Sequence, residues 1–542
     1  MKRYLRIICL VLALLMCGAV LAGCGGQQAP TPATPQPEKP KEPSVLRLNA
    51  TAQPNYLDPA QANWAVEIRI LRQVFVGLVG YNESKELVMK IAEKVDISPD
   101  GKTYTFTLRP GVKFHNGREV TAEDFVYSLT RALKPETKSA VAMLYLNDIV
   151  GAKDVADGNT DVLAGVKAVD KYTLAIEIDE VKPYFLAKLT YPTAYVVARE
   201  EVERLGESWV EGHLAGAGPF TLDNWAHNEK ITLKAFPDYF EGTPTLDVIE
   251  WLMITDENTA LLMYKNNELD VTEVPALQYE QIKNDPQLGK EMRQQPRASI
   301  EYFTMNRLAF EPFEDVRVRQ ALAMAIDRVA HLNVIYRNTR TLASSFTPPG
   351  VPGYDPNAYV HPFDPEKAKQ LLAEAGYPDP SKFPKLTISY RTQPNQGPQA
   401  EFFQGQLQQN LGIPVELEGL EGTTYTQQRN AGAFQAFFGG WGCDYLDPQN
   451  VLSLLFSTKS RYSQRWGSSN PEFDAYADAA DLELDVDKRI ELYKQADKVL
   501  INSAIMVPMT YPDHIWLQKP YVKGYERDAS DVIPLFKARI EK

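Results

Sequence analysis

Short alternating segments and helical stripes, separated by sharp turn signals, run through most of the chain and predict a mixed α and β protein. Val45-Leu46-Arg47-Leu48-Asn49-Ala50 has the two-residue alternation of a short strand. Ile91 to Ile97, the turn Ser98-Pro99-Asp100-Gly101 and the alternating Tyr104 to Arg109 predict a β-hairpin. Val166 to Ile178 predicts a second strand pair, and Lys230 to Ala235 alternates again. Thr121-Ala122-Glu123-Asp124 has the form of a capping box ahead of Phe125, Leu129 and Leu133 at helical spacing. Val318, Leu322, Ala325 and Ile326 give a helix over Asp315 to Arg328 one apolar face. Asp364-Pro365 to Gly376 carries an N-cap acid, a first-turn proline and a terminal glycine, and Ile490 to Leu500 is a further amphipathic helix. No short-period repeat appears, so the class is α/β or α+β with several lobes.

The pattern at the start of the chain is different. Lys2, Arg3 and Arg6 precede a nearly unbroken apolar run from Ile7 to Ala22, short for a spanning helix and ending in small residues. Leu21-Ala22-Gly23-Cys24 resembles a bacterial lipobox, which implies a lipoprotein signal peptide over 1–23, cleavage before Cys24 and lipidation of that cysteine. A plain uncleaved anchor is the alternative. Residues 24–43 then form a Pro-rich, largely extended tether, with six prolines and little that builds a core.

Composition narrows the class further. With 44% hydrophobic and 23% charged residues over 542 positions, the chain is ordinary globular material for three or four compact units. Its formal charge is −13, and loss of residues 1–23 removes three positive charges and leaves −16. That sign opposes nucleic-acid binding, which relies on neutralising phosphates. Of the four cysteines, Cys9 and Cys17 leave with the signal and Cys24 is lipidated, so Cys443 alone remains and no internal disulfide forms.

The search for catalytic chemistry finds no HExxH, GxSxG or P-loop motif. His115, His213, His227, His331, His361 and His514 stand singly, with no pair at metal-ligand spacing, so neither metal nor cofactor is expected. Cys443 beside Trp441 is either a nucleophile or, more simply, a small buried apolar residue. An exported, tethered chain without catalytic signature suggests capture of a solute rather than an enzyme.

From about Leu46 onward a series of segments resembles the family-5 solute-binding proteins of peptide ABC importers. In order they are Tyr56-Leu57-Asp58-Pro59, Gln73 to Leu78, Leu108-Arg109-Pro110-Gly111-Val112-Lys113-Phe114 with Ala122-Glu123-Asp124-Phe125, and Gly218-Pro219-Phe220. Then follow Asn306 with Phe313 to Leu322, Leu371 to Gly376, and Gly440-Trp441-Gly442-Cys443-Asp444-Tyr445 before Asp447-Pro448. Gly165 to Asp170 and the Phe473 to Pro508 segment are similar to the oligopeptide branch. The resemblance implies an α/β, two-lobed flytrap with an extra small domain in its first lobe. Lobe one would combine 44–75, 178–300 and 511–542, the extra domain 76–177, and lobe two 301–510, with hinges near 301 and 511.

The same resemblance implies a site. An extended peptide offers an ammonium and main-chain donors and acceptors, so a broad receptor holds those invariant parts. Asp444 matches the family's amine-binding acid, although on its own it also reads as a turn residue in Asp444-Tyr445-Leu446-Asp447-Pro448. Gly440, Trp441 and Cys443, with Asn63, Trp64 and Ala65 from the other lobe, would flank the ligand strand. Trp441 equally suits a core, and Tyr425 and Arg429 suit either the pocket or a solvated face. Two positions where some relatives carry a cation for the ligand carboxylate hold Phe438 and Gln396, which leaves a hydrophobic, modified or non-peptide ligand open. The implied partners are a peptide ligand and ABC permease subunits, with membrane contact through the lipid alone and a monomeric chain. The alternatives are the same fold serving a nickel complex, an oligosaccharide or a signalling peptide, and a secreted hydrolase with an unrecognised acid pair.

Overall fold

The hairpin shows how local sequence sets the framework. Gly101 sits at φ 70°, in the left-handed region that favours glycine, and its N–H donates to Ser98 O at 2.8 Å. That turn pairs the strands Ala92–Ile97 and Thr103–Leu108 antiparallel, with Ile97 opposite Tyr104. The second predicted pair, Val166–Asp170 and Thr173–Glu177, joins them in a four-stranded sheet through Thr103–Leu108 and Thr173–Glu177. The helix Ala122–Leu133 covers this sheet. Asp124 accepts the Thr121 N–H at 2.8 Å, as a capping box requires, and Phe125, Leu129 and Leu133 bury against Phe106, Leu174 and Ile176. Each such side chain stabilises the fold by roughly 1.5–3 kcal/mol.

The computed structural model describes residues 42–82, 86–212, 214–393, 395–468, 470–527 and 535–542. The signal peptide, Cys24 and nearly all of the tether expected from the sequence lie outside these residues, as does His213. Pro43–Lys542 forms one compact unit. No helix among the described residues is long and apolar enough to cross a membrane.

A twelve-stranded mixed sheet organises that unit. Its order is Val415–Leu420, Leu386–Arg391, Ala436–Gly442, Ser299–Met305, Met506–Gln518, Val271–Glu273, Val45–Asn49, Val248–Leu252, Lys230–Ala235 and Phe220–Ala226. Met292–Pro296 and Arg340–Leu342 also pair with Met506–Gln518. This 13-residue strand ties the halves together. Its Met506–Pro512 part pairs with Ser299–Met305 and Arg340–Leu342, and its Asp513–Gln518 part pairs with Met292–Pro296 and Val271–Glu273. The chain passes between the halves a second time at Arg297, whose N–H donates to Pro512 O at 2.9 Å. Separate cores fill the two halves. Leu46, Ile70, Phe220, Ile231 and Trp251 bury together around Val45–Asn49, whereas Phe303, Leu322, Leu386 and Phe403 cover one face of the other half and Tyr302, Phe346, Phe456 and Tyr493 its opposite face.

Most predicted helices stand where the pattern puts them, with one correction. Asp364 accepts the Lys367 N–H at 3.0 Å and caps Pro365–Glu374, with Gly376 at φ 102° beyond its end. The helix expected over Asp315–Arg328 is two helices, Val316–Ala325 and Arg328–Tyr336. Asp327 breaks it because its carboxylate accepts the Ala330 N–H at 2.8 Å, making it the N-cap of the second helix. The helix around Ile490–Leu500 extends to Val486–Ser503, capped by Asp485 on the Lys488 N–H at 2.9 Å.

Candidate ligand-binding site

The strand Ala436–Gly442 has one filled edge and one largely open edge. Ser299–Met305 pairs with its whole length, but on the other side Leu386–Arg391 reaches only Ala436 and Phe437. Beyond that point no strand among the described residues covers the edge. The Cys443 N–H donates to Ala298 O at 2.7 Å, so by antiparallel alternation the main-chain groups of Gly440 and Gly442 turn toward the open side. Both glycines are exposed. Phe438 O, on that same edge, accepts the Tyr425 hydroxyl at 3.1 Å. A side chain is excluded at Gly439, where an added Cβ would lie 2.4 Å from the buried Tyr302 ring. Gly439→Ala is therefore expected to cost about 1–3 kcal/mol by overpacking, read as a lowered Tm.

The strand ends at a bracket of polar contacts. Asn450 Oδ1 accepts both Trp441 Nε1–H at 2.9 Å and the Asp444 N–H at 3.2 Å, fixing the two residues relative to each other. Asn450 belongs to the short turn Pro448–Asn450, which Asp447 caps by accepting the Gln449 N–H at 3.0 Å. Asp447 in turn pairs with the buried Arg489 guanidinium. A chain of support thus runs from the helix Val486–Ser503 to the Asp444 loop.

Trp441 and Asp444 line a cavity of about 920 Å3. Tyr145 also lines this cavity and stacks on Tyr191 at 3.7 Å and 11°. Tyr191 donates to Ala62 O at 3.3 Å. No cation lies within ion-pair distance of Asp444 among the described residues. Burial raises its carboxyl from 3.8 to about 6, against the opposing pull of the Tyr145 hydrogen bond and the Arg72 charge. Asp444 therefore remains largely ionised at neutral pH while lacking the counter-charge that a buried carboxylate needs.

The other residues singled out in the sequence take different places. Trp441 is half-buried, its ring edge-on to Tyr462 at 5.5 Å. Cys443 is free and buried, and burial together with Asp444 pushes its thiol well up, leaving it a core residue rather than a nucleophile. Tyr425 is buried behind the strand against Phe434, with its hydroxyl pushed up to about 12 by burial. Arg429 is half-buried, with its Nε lacking a partner. Asn63, Trp64 and Ala65 do not line the Asp444 cavity. The Asn63 and Trp64 N–H groups donate to the buried Glu67 carboxylate at 2.9 and 3.1 Å, Ala65 begins the helix Ala65–Val74, and the Trp64 side chain is exposed. Phe438 packs on Phe403 and Phe303, and Gln396 accepts the Arg391 N–H at 3.2 Å, so neither faces the cavity. The cavity wall also includes Tyr145, Asn450 and Asp481, which the sequence did not single out. Asn450 alone had a signal, as the amide closing the turn after Asp447-Pro448.

A model of the bacterial extracellular solute-binding proteins, family 5 (middle), matches residues 86–463. The chain belongs to this family. The probable deoxycholate-binding periplasmic protein YgiS of Escherichia coli strain K12 is 33% identical over 92% of each chain. The oligopeptide-binding protein OppA of Bacillus subtilis strain 168 is 32% identical over 89% of this chain and 90% of that protein. The unliganded open form of the murein tripeptide-binding protein MppA superimposes with a TM-score of 0.81 and 32% identity, covering 92% of this chain and 98% of that one. The architecture is the two-lobed periplasmic-binding-protein fold, and the chain is an extracytoplasmic solute-binding protein by family.

Proposed function

We propose that this protein captures oligopeptides between its two lobes and delivers them to the permease subunits of an ABC importer. The observation that carries this reading is the exposed edge at Gly440 and Gly442 leading to Asp444, a carboxylate with no cation in ion-pair distance among the described residues. An extended peptide supplies what that arrangement lacks: main-chain groups for the edge and an ammonium for the acid. The names of OppA and MppA support a peptide ligand. YgiS points to an anionic sterol acid instead, but such a ligand would bring a carboxylate to an acid that is already uncompensated.

In this reading the lobes are 44–75 with 178–300 and 511–542, and 301–510, with 76–177 as the extra domain. The crossings at Arg297 and within Met506–Gln518 support hinges close to those bounds. Closure desolvates Asp444, so it is unfavourable until an ammonium arrives. Acylated Cys24 and the Pro-rich tether would hold the monomeric body at the membrane. Native mass spectrometry of the purified protein tests the ligand class: a ladder of co-purified peptides is expected, and a single non-peptide mass would overturn it.

The raised carboxyl of Asp444 gives a pH dependence. Only the ionised acid attracts an ammonium, and in the ligand-free protein it protonates near pH 6. Affinity for free-amine peptides is therefore expected to be level above that pH and to fall about tenfold per unit below it. Titration calorimetry between pH 4.5 and 8 measures the curve.

A further inference from the structure

Five carboxylates and five cationic side chains line the cavity beside Asp444, but they are not all paired: Lys102 donates to Asp179 O at 2.7 Å and Arg461 to the Tyr462 hydroxyl at 2.9 Å. Three of its carboxylates have a lysine partner: Asp148 with Lys188, Glu180 with Lys182 at 3.0 Å, and Asp478 with Lys459 at 2.9 Å. Asp444 and Asp481 have none within ion-pair distance among the described residues. Asp481 lies on the helix Pro471–Leu482 and is firmly placed, its Oδ1 accepting Ser453 Oγ–H at 2.8 Å and the Tyr493 hydroxyl at 2.5 Å. Both of those bonds use one oxygen and leave Oδ2 for another donor. Arg489, whose charge also acts on Asp481, is already committed to Asp447.

We infer that Asp481 is a second anchor, which takes a cationic side chain of the ligand, so that the protein prefers peptides containing lysine or arginine. This rests on the peptide reading of the cavity. Met143, Leu144, Leu454 and Leu482 line the same space, and Met143, Leu144 and Leu482 are exposed there. An apolar wall with a carboxylate suits a side chain that has an aliphatic stem and a charged tip. A shorter cation or a purely apolar side chain would satisfy only half of this surface. Burial raises the Asp481 carboxyl as well, to about 6, and the Asp447 charge adds to the rise.

The test compares Lys-Ala-Ala, Ala-Lys-Ala and Ala-Ala-Lys with their Nε-acetyl-lysine counterparts, all with free amino termini, by titration calorimetry at pH 7.5. In at least one position the lysine peptide is expected to bind about tenfold tighter or more than its acetylated form. Asp481→Asn keeps an acceptor for Ser453 and Tyr493 and should abolish this preference. Equal binding of each pair by the wild-type protein overturns the Asp481 anchor and leaves the peptide reading intact. A preference that persists in Asp481→Asn also overturns it. If no peptide of either set binds, the peptide reading itself fails.

Discussion

Asp444→Asn is expected to weaken binding of free-amine peptides about 100-fold, or roughly 3 kcal/mol, while changing the affinity of N-acetylated peptides little. The substitution removes the charge that an ammonium would meet in the cavity and preserves an acceptor for Tyr145. Stability should move the opposite way. The folded protein holds this carboxyl near 6 against an ordinary 3.8, so the ionised form is disfavoured by folding at neutral pH. The shift alone corresponds to up to about 3 kcal/mol, and solvent at a half-buried group reduces this to about 1 kcal/mol. In the wild-type protein this contribution to stability is lost as pH rises from about 4 to about 6. A variant that loses ligand but gains Tm cannot be explained by local unfolding. Calorimetry of the peptide pair with a thermal melt of the same sample reads both signs.

Arg489→Met is expected to destabilise the protein by about 3–5 kcal/mol, because it leaves the Asp447 carboxylate buried without its partner. The loss should not stay local. Asp447 caps the turn that carries Asn450, and Asn450 holds Trp441 and Asp444 through one oxygen. Peptide affinity should therefore fall in Arg489→Met even at a temperature where the variant is fully folded. Adding Asp447→Asn removes the stranded charge, keeps a cap for the Gln449 N–H and should recover part of the stability. Urea denaturation of the single and double variants measures the coupling.

The contrast between Asp444 and Asn63–Ala65 shows what the sequence disclosed and what it withheld. Segments governed by nearest neighbours were legible: the Ser98–Gly101 hairpin, the Thr121 capping box and the Asp364-Pro365 helix each carry their determinants within a few residues. The break at Ile326–Asp327 was hidden because the apolar face continues across it, while the cap depends on one carboxylate reaching Ala330. Likewise, nothing local marks Met506–Gln518 as the strand that pairs with both halves; that follows from partners some 200 residues distant. Asp444 and Trp441 were named through a motif, and both line one cavity. Tyr145 and Asp481, which line the same cavity, were not, since they come from other parts of the chain. Glu67 explains the different place of Asn63 and Trp64: its carboxylate draws in their N–H groups and turns that segment into a helix start.

An extended peptide is expected to pair with the strand end at Gly440–Gly442 and to deliver its amino group to Asp444. A crystal structure of the protein with a co-purified or added peptide tests it most directly. Main-chain hydrogen bonds between the peptide and Gly440 or Gly442 are expected, with the terminal nitrogen about 3 Å from an Asp444 oxygen. A ligand bound away from that edge, or one whose amino terminus lies beyond hydrogen-bond reach of Asp444, would contradict it.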